Sequence, residues 1–393
     1  MNDNIKQQNK VWLVIILGSL TAFGPLSMDM YLPGLPAVTE YFGSTASLGQ
    51  LSITTCLLGL AAGQLVFGPL SDFQGRRKPL IVTLLLYTII SLLCGLSTNI
   101  WLFIMLRFLQ GFTGAAGVVI SRAAARDMYS GKELTQFVAL LAIVMGAAPI
   151  LAPIFGGVIL NWMTWEAIFY VLSLIGLIML IVVVFFLPET LAKDRRMSGN
   201  IYAVFQSFGV LFKDRIFIGI ACAQAFISMS MFAYIAASPF VLQNIYGVTP
   251  QQFSFIFAMN GLGIIIAAQV PGRLSNRYEE MKLLRAGIVL ALTGSVLLLF
   301  VVLFSLSLPV MMIALFIVVS CVGIVNTTSF SLAMNRQGKI AGSASALLGI
   351  LPFAGGALVS PLVGVAGESS SVPMGIVIFL CCFLSWMTYR WME

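Results

Sequence analysis

Apolar residues in this 393-residue chain come mostly in unbroken runs separated by short polar gaps. A helix needs about 20 apolar residues, at 1.5 Å rise each, to cross a ~30 Å hydrocarbon core. Twelve runs reach that length: approximately 11–33, 48–70, 79–97, 100–121, 134–160, 165–187, 216–243, 250–271, 284–305, 309–334, 341–366 and 373–391. The pattern therefore predicts an all-α membrane protein of twelve transmembrane helices. The longest charged interruption, the linker 188–215, separates an N-terminal six-helix bundle (1–187) from a C-terminal one (216–393). Within it Ile201, Val204, Phe205, Phe208, Leu211 and Phe212 recur at helical spacing, which predicts an amphipathic helix lying on the cytoplasmic face.

Charge orients the runs. Of the 21 lysines and arginines, 20 fall in every second gap, and only Arg107 lies well inside a run. The positive-inside rule then puts both termini in the cytoplasm. With 60% hydrophobic and 9% charged residues, too little polar surface remains for a soluble globule. The net charge of +7 belongs to loops that face anionic headgroups, so the bilayer is an expected partner and nucleic acid is not. Histidine is absent, which excludes imidazole catalysis and histidine proton relays. The six cysteines all lie in apolar runs without a C-x-x-C pair and read as small core residues, with no metal site. The first run follows Lys6 and Lys10 but continues into proline-rich sequence without a small-residue cleavage site, so it reads as a span rather than a signal peptide.

The halves repeat one another. Gly68-Pro69-Leu70-Ser71-Asp72 after the second run recurs after the eighth as Gly272-Arg273-Leu274-Ser275-Asn276. Gly146 and Pro149 in the fifth recur as Gly349 and Pro352 in the eleventh, and Ser27-Met28-Asp29-Met30-Tyr31 in the first resembles Ser228-Met229-Ser230-Met231-Phe232 in the seventh. Offsets of 204, 203 and 201 residues nearly coincide, which argues for a duplication with a substrate site between parallel halves near the midplane, reached by alternating access. Asp72 becomes Asn276 and Asp29 becomes Ser230, so charge is kept in the N-terminal half.

The stretch Gly68-Pro69-Leu70-Ser71-Asp72-Phe73-Gln74-Gly75-Arg76-Arg77-Lys78 resembles the signature of the major facilitator superfamily between spans 2 and 3, and the resemblance extends over the whole chain. It implies a conformational latch on the cytoplasmic side. Gly68 lets a neighbouring helix approach, Asp72 faces the positive N-terminus of span 11, Gly75, Arg76 and Arg77 complete the turn, and Arg76 pairs with Asp127 at the foot of span 4. Leu106-Arg107-Phe108-Leu109-Gln110-Gly111 with Gly114-Ala115-Ala116 is similar to the family's span 4 motif. Gly146, Pro149, Pro153, Gly156 and Gly157 resemble its span 5 antiporter motif, although Ala148 or Ala152 stands where a glycine usually precedes a proline; the motif implies a bent span 5 packed against span 8.

Pro25-Leu26-Ser27-Met28-Asp29-Met30-Tyr31-Leu32-Pro33-Gly34-Leu35-Pro36 resembles the first span of the drug/proton antiporter group, closest to its bicyclomycin and chloramphenicol resistance (Bcr/CflA) branch. Asp29 is the only acid well inside a span, and an intramembrane carboxylate marks function by default. Helical rise puts Asp29 about 10 Å and Arg107 about 9 Å below the outer surface, close enough in depth to pair. Desolvation strengthens a carboxyl's hold on its proton and a nearby guanidinium weakens it, so movement of either residue would load or release a proton. Related drug antiporters carry a second carboxylate two turns earlier; Thr21 stands there, so the resemblance does not extend to multiple-proton coupling.

Abundant phenylalanine (29) and methionine (19) suit an adaptable apolar cavity. The rarer amides Gln64, Gln110, Gln224, Asn260, Gln269 and Asn326 must bridge helices or face a wet cavity, and Asn260 and Asn326 are assigned to the cavity. The expected substrate contacts are Tyr31, Gln110, Gln224, Phe232, Asn260 and Asn326. The expectation is a monomeric exporter in a bacterial cytoplasmic membrane. It exchanges protons for amphipathic drug-like compounds, without catalytic cofactor and without enzyme activity. The alternative is a proton-coupled metabolite or amino-acid transporter on the same fold.

Overall fold

The computed structural model describes residues 3–129, 131–192, 194, 196, 209, 211–275, 277–336, 341–364 and 370–392. Among them the chain is helical, without strands. The helices are α1 Asp3–Thr21, α2 Phe23–Asp29, α3 Leu35–Tyr41, α4 Ala46–Gln74, α5 Arg77–Gly95, α6 Ile100–Met128, α7 Gly131–Ile159, α8 Glu166–Phe186, α9 Arg215–Phe240, α10 Pro250–Leu274, α11 Glu280–Leu303, α12 Leu308–Arg336, α13 Ala341–Val359 and α14 Val372–Met392. Among the described residues every predicted span falls mainly on helix. Ten of the described helices are long and apolar enough to cross a membrane, or eleven with the bent first pair taken as one span. Most of the predicted linker helix, 201–208 and Phe212's neighbour 210, lies outside the described residues, as does Asn276.

Local chemistry sets the starts. The side chain of Asn99 accepts from the backbone N–H groups of Trp101 (2.8 Å) and Leu102 (3.3 Å) at the start of α6. Asp214 does the same for Ile216 and Phe217 at α9, and Thr249 with Gln252 forms a reciprocal capping box at α10. Each satisfies donors that the first helical turn leaves free.

The first span departs from expectation. Instead of one helix over 11–33, it is broken, with a 41° bend between Trp12–Thr21 and Phe23–Tyr41, and a short 3-10 turn over Leu32–Gly34 follows α2. Prolines account for both interruptions. Pro25 cannot donate to the carbonyl of Thr21, nor Pro33 to that of Asp29, so the helical ladder loses a rung at each place. Leu32, preceding Pro33, is also disfavoured in helix. Asp29 consequently stands at the end of a helix, beside unwound backbone.

Two compact units result: Met1–Gly34 with Thr55–Gly199, and Leu35–Thr54 with Asn200–Glu393. Residues 35–54, which join the first two spans and begin the second, thus belong to the second unit, where the Ser47 hydroxyl donates to the carbonyl of Gly364 at 2.8 Å.

Lipid gives helices no hydrophobic reason to associate, so close packing through small residues supplies the attraction. In the first unit α4 and α6 meet backbone to backbone: a Cβ on Gly59 or Gly63 would collide with the carbonyls of Phe108 and Phe112, and one on Gly111 with the carbonyl of Cys56. In the second unit the equivalent pair, α10 and α12, does the same at Gly323 against Ile264 and at Gly263 against the Ser320 hydroxyl. Gly263 lies 204 residues after Gly59, the offset of the signature repeat, so the duplication extends to the helix crossing. Gly68 does not take part in such an approach within its unit: its Cβ would meet only Val119 Cγ1, at 3.4 Å. Gly111→Ala is therefore expected to destabilise the purified protein by about 1–3 kcal/mol through overpacking, whereas Gly68→Ala leaves stability unchanged or slightly raised by alanine's helix propensity. Thermal unfolding in detergent compares the two, and equal losses would contradict the crossing.

Candidate functional site

The site is organised by Arg107, which is 0% exposed in the middle of α6. Its Nη1 donates to the backbone carbonyl of Ser27 at 2.8 Å and to Oε1 of Gln110. The Ser27 carbonyl is free because α2 ends at Asp29, so the guanidinium caps the negative end of a helix. The plane of the cation lies over Tyr31, 4.3 Å from the ring centroid, and Phe169 is 5.6 Å away. Phe103 and Trp165 complete the aromatic cluster, with ring centroids 5.4–5.9 Å apart among Phe103, Trp165 and Phe169. Cation–π contacts of this kind are worth ~2 kcal/mol when desolvated, and they partly replace water for a buried charge.

The predicted ion pair with Asp29 is not formed. No carboxylate oxygen of Asp29 lies within 4 Å of a guanidinium nitrogen, Asp29 Oδ1 is buried without a hydrogen-bond partner, and Nε and Nη2 of Arg107 are likewise without one. Equal depth brought the two residues to one level of the bundle. The break after Asp29 then turned the backbone, rather than the carboxylate, toward Arg107. Asp29 itself is 2% exposed.

Around this pair spans 1, 3 and 4 share a buried polar network. Gln110 Nε2 donates to Ser91 Oγ at 2.8 Å, and Ser27 Oγ lies 2.7 Å from the Tyr87 hydroxyl. Tyr87 and Ser91 were not singled out from sequence; a tyrosine in the middle of an apolar run was the available signal. Two expected substrate contacts belong here instead. Tyr31, 1% exposed, packs under Arg107, and Gln110, 0% exposed, is occupied by Arg107 and Ser91.

In the second unit Asn260, assigned from sequence to the cavity, is 3% exposed and donates from Nδ2 to the Tyr234 hydroxyl at 2.8 Å. It bridges α9 and α10. Asn326 is half-buried and accepts from Ser228 at 3.3 Å. Gln224 donates to the Leu348 carbonyl at 3.4 Å while its Oε1 has no partner. Phe232 packs on Phe353, with centroids 5.6 Å apart.

Of the antiporter-motif residues, Pro149 and Pro153 lie inside α7, Gly146 is half-buried and Gly157 is buried. A Cβ on Gly156 would strike the carbonyl of Met30, so within this unit that glycine admits the end of the broken first span.

The signature between spans 2 and 3 forms a second cluster. Arg76 donates from Nε to Asp127 Oδ2 at 2.8 Å, and from Nη1 to Asp72 Oδ1 at 2.5 Å and Ser71 Oγ at 2.7 Å. Burial works against its cation, but hydrogen bonds and charge from Asp127 and Asp72 outweigh it and raise its proton affinity further. The end of α8 supplies parts the sequence did not disclose. Glu189 accepts from the backbone N–H groups of Arg76 (2.8 Å), Leu191 (3.1 Å) and Arg77 (3.2 Å), Thr190 donates to Asp127 at 3.3 Å, and Arg77 donates to the Val184 carbonyl. A carboxylate therefore sits on the positive end of α5. Gly75 leaves α4 at φ +92°, a conformation that favours glycine, and a Cβ there would collide with Glu189 Oε2.

The residues described also resemble known proteins as a set. A family model described as Major Facilitator Superfamily matches residues 17–361. An uncharacterized MFS-type transporter of Bacillus subtilis, YdgK, is 43% identical over 391 residues, covering 99% of this chain and 97% of its own. A bicyclomycin resistance protein homolog of Haemophilus influenzae is 30% identical over 98% of this chain and 97% of its own, and a chloramphenicol resistance protein of Pseudomonas aeruginosa is 30% identical over 72% and 67%. Among solved structures, a bacterial homologue of the human lysosomal transporter Spinster, inward-facing and unoccupied, aligns over 100% of this chain and 98% of its own with TM-score 0.75 at 13% identity. The nucleoside transporter NupG aligns over 97% and 98% with TM-score 0.76 at 12% identity. These two speak to the fold alone.

Partial burial raises the proton affinity of Glu189, but the N–H groups of Arg76, Leu191 and Arg77 and the charge of Arg196 outweigh it and hold its carboxyl below the usual range. A depressed carboxylate contributes stability that is complete above its unfolded-state value and is lost as pH falls through the folded one. Glu189→Gln is expected to cost roughly 1 kcal/mol near neutral pH, a charge-assisted hydrogen bond discounted for partial exposure, and nothing at acid pH. Melting temperatures at the two pH values measure this, and a pH-independent loss would contradict the capping role.

Proposed function

Since this chain belongs to the Major Facilitator Superfamily, in the branch of the bicyclomycin and chloramphenicol resistance proteins, we propose that it is a proton-coupled antiporter that exports amphipathic drug-like compounds across the bacterial cytoplasmic membrane. The observation that carries this reading is Asp29, a buried carboxyl with an unpartnered oxygen at the broken point of span 1, in the same network of helices as a buried guanidinium with two unpartnered nitrogens. Groups left unsatisfied at this cost persist where a second state or a ligand satisfies them.

The mechanism follows from these parts. Asp29 takes a proton from the outer side and releases it inward. Arg107 senses the change because a charge appearing on Asp29 attracts a guanidinium that has two donors to spare. As Arg107 also caps Ser27, its movement alters the break in span 1, which links protonation to helix geometry. At the cytoplasmic face the Arg76 cluster with Asp72 and Asp127 acts as a latch whose charged contacts favour one access state. One proton crossing ~100 mV supplies ~2.3 kcal/mol, enough for a concentration ratio of roughly fifty-fold. The neutral polar groups of the second unit, Gln224 and Asn326 with Phe232, fit a neutral or zwitterionic substrate better than a multiply charged one. The folded protein works as a monomer with both termini in the cytoplasm and needs no cofactor.

Everted membrane vesicles test the coupling. With an acidic lumen they are expected to take up chloramphenicol, and Asp29→Asn should abolish that uptake while the protein still folds, because an amide keeps the shape but exchanges no proton. Undiminished pH-driven uptake by the variant would refute the assignment. Asp72→Asn should instead slow turnover several-fold with little change in chloramphenicol binding, since the lost contact lies in the latch. A variant weakened in binding and normal in turnover would contradict that role.

A further inference from the structure

The hydrogen bonds between Arg107 and span 1 run in one direction. Arginine only donates, so Gln110 turns Oε1 toward Arg107 and its amide Nε2 toward Ser91. Ser91 accepts that amide proton at 2.8 Å. At the other end, the Ser27 hydroxyl donates its single proton to the Phe23 carbonyl at 2.6 Å. The 2.7 Å contact between Ser27 Oγ and the Tyr87 hydroxyl therefore has Tyr87 as donor. Two donor series result, Arg107 to Gln110 to Ser91 and Tyr87 to Ser27 to Phe23, and both meet span 1 at Ser27, whose carbonyl takes Arg107 and whose hydroxyl takes Tyr87. The second series ends on the backbone of α2 at Phe23, about two turns before Asp29. Hydrogen bonds in such a series polarise one another.

The Tyr87 ring is held in a fitted slot. It meets Phe23 edge-on, with centroids 4.8 Å apart and 69° between planes. A Cβ on Gly176 would come within 3.0 Å of its Cδ1, and one on Gly114 within 3.5 Å of its Cε2. The residue is 1% exposed. Two glycines, on α8 and α6, make room for a ring whose hydroxyl reaches one atom of span 1.

We propose that Tyr87 is a positioning residue for proton exchange: through Ser27 it fixes the broken end of α2 so that Arg107 caps the Ser27 carbonyl and stays off Asp29. This rests on the assignment of Asp29 as the exchanging group. Without the Tyr87 hydroxyl, Ser27 keeps its bond to Phe23 within α2 but loses its tie to α5; the broken end of α2 then shifts, the Ser27 carbonyl leaves Nη1, and the guanidinium gains access to Asp29 Oδ1.

Infrared titration of the purified full-length protein in detergent, without substrate, tests it. The carboxyl band that disappears in Asp29→Asn reports the protonation of Asp29. In Tyr87→Phe its titration midpoint is expected to move by about half to one pH unit, the worth of one hydrogen bond. Ser27→Ala should move it in the same direction, and the double variant should move it no further, because both break one chain. A residue that merely fills space would lower the yield of folded protein and leave the midpoint in place. An unmoved midpoint in Ser27→Ala would overturn the inference, also if Tyr87→Phe fails to fold. Absence of any band sensitive to Asp29→Asn would overturn the coupling assignment itself, so the two failures are distinguishable.

Discussion

A guanidinium cannot be neutralised at any physiological pH, so a bundle that buries one must be built around it. Arg107 imposes that constraint on the first unit. One nitrogen is satisfied by a helix end that exists only because prolines interrupt span 1, and the cation face rests on Tyr31 and on Phe169 of α8. The glycine crossings bring the backbones close enough for these contacts, as Gly111 does beside Cys56 and Gly117 beside Leu20. What remains unsatisfied, Nε and Nη2 together with Asp29 Oδ1, is the part available for change.

The second unit shows the same scaffold without that constraint. Its glycine crossing at Gly263 and Gly323 parallels the one at Gly59 and Gly111, yet Ser230 stands in the place of Asp29 and donates to the Ile227 carbonyl of its own helix at 2.7 Å. The polar contacts Asn260 with Tyr234 and Ser228 with Asn326 join neutral groups, while charged contacts such as Ser331 with Glu280 lie near helix ends. Duplication kept the packing, and charge was retained on one side.

Run lengths made the succession of membrane-spanning helices legible in the sequence, because span length is fixed by the bilayer itself. The pairing of Arg76 with Asp127 was legible through family resemblance. The relation of Asp29 to Arg107 was not: depth along a helix gives a level, whereas contact depends on rotation about the axis and on the break that Pro33 introduces. Asn260 was misassigned to a cavity for a similar reason, since a buried amide bridging to Tyr234 and one facing water look alike in a linear pattern. Glu189 and Tyr87 act through partners over 50 residues away in the chain, and no local spacing marks them.

The central claim, exchange of a proton for substrate in opposite directions, is tested most directly in liposomes that contain the purified protein and start without a pH gradient. A chloramphenicol gradient is imposed and the lumenal pH is followed. The account predicts that substrate leaving the lumen draws protons in, and that this flux is lost in Asp29→Asn. Protons moving with the substrate, or substrate moving with no proton flux, would contradict it.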